Sequence, residues 1–229
     1  METDIDALLE DLRAYTSQNV ANPWREQDET ELDLPGVAAR RRDYLRRYLA
    51  VRPAPRVLLL AEAAGYQGCR FSGIALTCER MLLGHHKRVG PQDIFLTPET
   101  VERTSRVTDE MPNTRARLGY NEPTDTMVWQ AALDAGLRPE SFLLWNIFPF
   151  HPHPTTNPLA NRTPQEAELA AGLIFARRII DMYRPPLIFA IGRKAQQMLA
   201  QGGIPSVALR HPANGGATEF RRGFQQAIQ

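Results

Sequence analysis

Four short apolar runs, spaced by segments long enough for helices, constrain this chain more than any other feature. They are residues 56–61 (RVLLLA), 141–148 (SFLLWNIF), 186–192 (PLIFAIG) and 206–210 (SVALR). Each reads as a strand. The intervening segments carry helical signals: a short helix around 77–84, one over 124–135 stopped by Gly136, one over 164–182 and one over 193–201. Thr163 is the expected cap of the third, with Glu166 completing a capping box. Strands alternating with helices pair in parallel through crossover connections. The pattern predicts an α/β fold, a three-layer α/β/α sandwich around a mainly parallel four-stranded sheet.

The remainder is less regular. Residues 4–17 repeat apolar positions at helical spacing, with Thr3 or Asp4 as the cap, and a polar linker follows. A second helix over 37–51 carries Arg40, Arg41, Arg42, Arg46 and Arg47, which read as a solvated face. Residues 85–123 show little periodicity, and residues 151–164 are too proline-dense to pair in a sheet. At 229 residues and 43% hydrophobic, the chain suits one compact domain spanning 1–229.

Composition excludes several classes. No apolar run is long enough to span a membrane, and the acidic N-terminus lacks the order of a signal peptide. Two cysteines make neither a disulfide scaffold nor a four-thiolate metal site, so a cytoplasmic protein with reduced thiols is expected. Net charge is only +1, yet residues 1–34 hold ten acids against Arg13 and Arg25. The rest of the chain is correspondingly basic, which permits a polyanionic partner.

The strand ends carry the chemistry. Ligands of open α/β sheets bind beyond the carboxyl ends of strands. The first strand delivers Glu62 and a loop punctuated by Gly65, Gly68 and Gly73, where main-chain amides can meet a ligand. This loop is neither a dinucleotide fingerprint nor a Walker loop. The second strand delivers Asn146, and the last delivers Arg210, His211, Pro212, Ala213, Asn214, Gly215 and Gly216. An amide, a histidine, a carboxylate and a glycine-lined cradle suit a small planar polar ligand, and an asparagine that donates and accepts at once matches a pyrimidine edge.

These segments resemble the uracil-DNA glycosylase superfamily, specifically bacterial members without an iron–sulphur cluster. AEAAGYQGCRFSGIALT resembles the family's first motif, LLWNIFPFHPH its asparagine motif and RHPANGG its second catalytic motif. NRTPQEAELAAGLIFARRIIDMYRPPLIFAIGRKA resembles the middle segment of the iron–sulphur members. The resemblance runs from about Arg56 to Phe220. It implies a helical extension over 1–55 and a catalytic core over 56–229 that extrudes a damaged base from DNA and hydrolyses its N-glycosidic bond.

The resemblance also implies roles. His211 stabilises the leaving pyrimidine oxygen, Asn146 reads the base edge, and Glu62 lies beside the catalytic position. Ala63 stands where the best-known branch carries a water-activating aspartate, so either Glu62 or Gln67 orients water, or leaving-group stabilisation carries most of the rate. Gly65 replaces the tyrosine that packs against the base 5-position, and Leu76 replaces a stacking phenylalanine, leaving Tyr66 or Phe71 to stack. Asn214, Gly215 and Gly216 stand where relatives carry a bulky wedge, so their loop meets DNA through backbone amides. Arg70, Lys87, Arg88, Arg210, Arg221 and Arg222 are candidate phosphate contacts. Phe150 or His151 and Gly172 stand near two cluster-cysteine positions, which implies that the cluster is lost. The histidines at 85, 86, 151 and 153 lack zinc spacing, so no metal or other cofactor is expected.

The expected partner is DNA containing uracil or another deaminated base, bound by a monomer. Two alternatives stay open at this point: a hypoxanthine, xanthine or mismatch glycosylase, and a catalytically weak DNA- or nucleobase-binding protein of the same fold.

Overall fold

The computed structural model describes residues 2–26, 32–98 and 101–228. Helix α1 (Glu2–Ala14) buries Ile5, Leu8, Leu9 and Leu12, which recur at helical spacing. Thr3 and Asp4, the expected caps, lie inside its first turn. The two-residue strand β1 (Val20–Ala21) and helix α2 (Val37–Ala50) precede the central sheet. Strand β2 (Val57–Ala63) runs past the expected end at Ala61 and so includes Glu62. Short helices α3 (Cys69–Ser72), α4 (Glu79–Leu82), α5 (Pro91–Ile94) and α6 (Asn113–Leu118) lead to the longer α7 (Pro123–Asp134). The order continues with β3 (Phe142–Phe148), β4 (His151–Pro152), α8 (Glu166–Tyr183), β5 (Leu187–Ile191), α9 (Arg193–Gln201), β6 (Val207–Leu209) and α10 (Ala217–Ile228).

The sheet order is β3-β2-β5-β6 and every pairing is parallel, as the alternation of strands and helices predicts. All four carboxyl ends therefore reach one edge. Chain direction reverses at β3: the connection from β2 runs one way along the sheet, those to β5 and β6 the other. Right-handed crossovers then place α7 on one face and α8 and α9 on the opposite face. Side chains alternate along each strand, and register partners share a face. Ala61 pairs with Asn146 and Ala63 with Phe148, so Asn146 and Ala63 share the face that carries Phe142. Helix α7 covers that face through Trp129, 5.0 Å from the Phe142 ring. Helix α10 joins it through Phe224, 5.0 Å from Phe189.

Three local expectations are corrected. The proline-rich segment does pair: β4 runs antiparallel to β1, with Val20 opposite Pro152. So short a ladder needs no N–H from the proline; the Pro152 carbonyl accepts from the Arg162 amide and the His153 amide donates to Asn19 O, at 3.2 and 3.0 Å. The cap of α8 is Gln165 rather than Thr163. Pro164 disfavours helical geometry at Thr163, and the Glu168 carboxylate accepts from the Gln165 amide at 2.7 Å while Arg162 grips it at 2.6 and 2.7 Å. The arginines of α2 are not uniformly solvated either. Arg41 is buried, and Asp33 accepts from it at 2.7 and 3.1 Å.

Residues 85–123 are organised by side chains rather than periodicity. The buried Glu79 carboxylate accepts from the amides of Thr104, Ser105 and Tyr120 and from the Ser105 hydroxyl, at 3.1, 2.9, 3.3 and 2.7 Å. Part of the acidic N-terminal segment is likewise paired within the chain: Asp6 with Arg46, Asp11 with Arg178 and Glu26 with Arg42.

Candidate active site

The glycine loop leaves β2 across the exit of β3. The Ala64 amide lies 3.3 Å from both the Phe148 and Phe150 carbonyl oxygens, and the His151 ring nitrogen Nδ1 lies 3.1 Å from Ala64 O. Tyr66 donates its amide to Asn161 Oδ1 at 3.0 Å, and Gly68 closes a turn onto Gly65 O at 3.2 Å. Two carboxylates of α7 press against this turn. A Cβ at Gly68 would lie 2.6 Å from Asp125 Oδ2, and one at Gly65 would lie 3.4 Å from Glu122 Oε2. The loop keeps glycine at 68 because the carboxylate occupies the space a side chain needs.

Asn146 is 1% exposed, and its Oδ1 has no hydrogen-bond partner. A buried acceptor left unpaired costs about 1–3 kcal/mol, so this atom is suited to meet a ligand donor.

His211 follows β6 and packs over the end of β5, 3.3 Å from the Cβ position of Gly192. The Ala213 amide donates to His211 Nδ1 at 3.1 Å. That bond assigns the ring proton to Nε2, leaving a neutral imidazole with an outward donor. Burial and the nearby Arg210 charge both hold the ring below the ordinary histidine pKa. At Gly216 a Cβ would collide with the His211 carbonyl oxygen, so glycine is needed for the loop to fold back on the histidine. Asn214 and Gly215 are exposed in left-handed geometry, with φ of 53° and 78°. Arg210 is exposed and stands 4.0 Å from Glu219.

The other expected residues divide. Glu62 and Ala63 are neighbours in β2 and point to opposite faces; Ala63 takes the Asn146 side and Glu62 does not. Burial raises the Glu62 pKa, and the α9 residue Lys194 opposes that rise. Gln67 donates to the Tyr66 hydroxyl, and the Tyr66 ring meets Tyr120 edge-on at 6.4 Å. Leu76 is 7% exposed with φ 51°. Phe71 is a core residue rather than a free stacking platform. Its ring is fully buried and stacked on Tyr120 at 4.2 Å, with the Arg70 guanidinium 5.0 Å from its centroid.

Arg70 is also corrected. It is 2% exposed and both Asp33 oxygens accept from it at 3.1 Å, so it ties α3 to the N-terminal segment instead of meeting phosphate. Arg88 pairs with Asp134 at 2.7 Å, and Arg221 reaches Met127 Sδ at 2.9 Å. Exposed Arg193 and Lys194 open α9 at the sheet's carboxyl edge.

Glu122, Asp125 and Asn161 were not singled out by sequence reasoning. The two acids match an ordinary helix start, and only their approach to the glycine loop distinguishes them. Asp125 is 3% exposed with Oδ2 unpartnered. Burial and then the Glu122 charge push its pKa well above the carboxylate range.

The remaining histidines serve backbone and side-chain contacts. His151 lies between the Ala64 and Pro158 carbonyls, and burial lowers its pKa to about 4. The residues at the expected cluster positions do not fit an iron–sulphur group. Phe150 is buried apolar core, and a Cβ at Gly172 would lie 2.7 Å from Phe148 Cα and collide with the Ile147 carbonyl. No helix among the described residues is long and apolar enough to cross a membrane.

No curated protein matches the chain. A solved structure, SMUG2 from Pedobacter heparinus, is similar with a TM-score of 0.62 at 12% identity, over 98% of this chain and 95% of that one. At that identity the likeness speaks for the fold. The family model of the Uracil DNA glycosylase superfamily matches residues 52–228, a span that contains the glycine loop, Asn146 and His211. The chain belongs to the uracil DNA glycosylase superfamily.

Proposed function

We propose that this protein is a monofunctional DNA glycosylase that removes uracil, and other deaminated bases that fit the same pocket, by hydrolysing the N-glycosidic bond. The observation that carries the reading is the pairing of an unpartnered, buried Asn146 Oδ1 with a neutral His211 donor at the same edge of the sheet. The strands β3 and β5 beneath them are two spacings apart, roughly 10 Å. A single nucleobase with a hydrogen bond at each end suits such a span. Asn146 Oδ1 then accepts from a base N–H, which supports selection of a base by its imide edge. His211 Nε2–H faces the oxygen on which charge develops as the base departs. Arg193, Lys194 and Arg210 at the rim would meet the flanking phosphates.

The reading is tested by incubating the protein with end-labelled oligonucleotides containing uracil, hypoxanthine or xanthine, single- and double-stranded, and cleaving abasic sites with alkali. Release of uracil is expected. DNA binding without abasic product from any substrate would leave a binding protein and remove the enzyme reading. In the same assay Asn146→Ala should lower the single-turnover rate about tenfold to hundredfold, from a lost buried hydrogen bond of about 1–3 kcal/mol. An Asn146→Ala rate equal to wild type would place the base elsewhere.

A further inference from the structure

We propose that Glu122, at the start of α7, is the carboxylate that orients and deprotonates the attacking water. The assignment rests on the glycosylase reading above. Hydrolysis by water at neutral pH gains from a carboxylate beside the reacting carbon, both as a base and as a counter-charge to a cationic sugar. Ala63 supplies none, and Glu62 points to the opposite face of the sheet, toward Lys194.

The face shared by Ala63 and Asn146 is the one that α7 covers, and α7 brings two acids to the glycine turn. They differ in exposure. Asp125 is 3% exposed and lies against Gly68, so it is shut off from solvent water. Glu122 is partly exposed beside Gly65, with Oε1 accepting from the Thr124 amide at 3.4 Å and Oε2 turned toward the glycine. The absence of a side chain at Gly65 is what gives Oε2 an open path to the loop. Burial raises the Glu122 carboxyl above its ordinary value, which suits a group that must take up a proton.

In the step itself the water oxygen bonds to the sugar C1′ as the C1′–N bond breaks. The electron pair leaves with the base, onto the oxygen facing His211 Nε2–H, and the water proton passes to a Glu122 oxygen. Asn161, whose amide group lies 3.9–4.0 Å from the Gly65 Cβ position, borders the same space.

The test uses the full chain and whichever deaminated base the wild type releases. Single-turnover rates are compared for wild type, Glu122→Gln, Glu122→Asp and Glu62→Gln. Affinity for a 2′-fluorinated, cleavage-resistant oligonucleotide and the unfolding midpoint are measured alongside. Glu122→Gln keeps an acceptor for the Thr124 amide; it should lose about 10²-fold in rate, with affinity and midpoint unchanged. Glu122→Asp should fall between it and wild type, and Glu62→Gln, which removes the competing carboxylate, should lose less rate than Glu122→Gln; a larger loss in Glu62→Gln overturns the assignment. A Glu122→Gln rate within threefold of wild type, a loss matched by weaker DNA binding or a lower midpoint, or Glu122→Asp slower than Glu122→Gln overturns the assignment alone. A wild type that releases no base overturns the glycosylase reading and this assignment with it.

Discussion

Replacing His211 by alanine is expected to slow base release about 10²- to 10³-fold, while affinity for a cleavage-resistant oligonucleotide changes little. The size follows from removing one donor aimed at a developing oxyanion, worth about 2.7–4 kcal/mol. The effect falls on the transition state because the departing base carries more negative charge than the bound one. The neutral tautomer is set by the Ala213 amide, which donates to Nδ1 and leaves Nε2 protonated. Burial and Arg210 keep the ring from taking a second proton. The pH dependence then has a definite sign. The folded pKa is depressed, so the neutral form persists as pH falls past the ordinary histidine value of about 6.5, and the contribution of His211 is lost only below the lowered value. A rate that drops in step with an unperturbed histidine, or a His211→Ala variant at wild-type speed, would assign the leaving group to another residue.

The second large effect concerns stability. Asp33→Asn should destabilise the fold by about 3–5 kcal/mol, because it removes the carboxylate on which two buried guanidinium groups converge. Arg41 and Arg70 are 1% and 2% exposed, and both direct their bonds at this carboxylate. Burial alone would raise the Asp33 pKa, but the Arg41 and Arg70 interactions outweigh it and hold the carboxyl below its ordinary value. A depressed carboxyl stabilises the fold above the unfolded-state pKa, and that stability is lost as pH falls through the folded value. Chemical denaturation at pH 7 should show the loss. Between neutrality and acid pH the wild type should converge on the variant; a constant gap would mean that the cost lies in packing rather than charge. Arg70 also anchors α3, so the glycine loop should exchange amide protons faster in the variant.

The sheet and its long helices were legible because alternating strand and helix periods leave few topologies. Helix α9 occupies the expected span, Arg193–Gln201. His211 stood out because a strand carboxyl end announces itself as apolar residues giving way to polar ones; Asn146 stood out as the one polar residue of an apolar run, and it lies within β3 rather than at its end. Arg70 did not, since an arginine in a polar loop looks the same whether it faces phosphate or a carboxylate 37 residues earlier. Phe71 and the 85–123 segment failed for the same reason: their partners, Tyr120 and Glu79, are remote in sequence. The different faces of Glu62 and Ala63 required the strand's true end at Ala63. With the strand ended at Ala61, both fall in a loop, where alternation has no meaning.

Helix α1 gives one more consequence. The family match begins at residue 52, which invites a cut there to obtain a minimal enzyme. Yet Ile5, Leu8, Leu9 and Leu12 belong to the same apolar cluster as the strands, and Asp11 reaches Arg178 on α8. Homology and packing draw different borders on this chain: what is shared with relatives starts near residue 52, whereas the apolar cluster around the strands takes in the first helix.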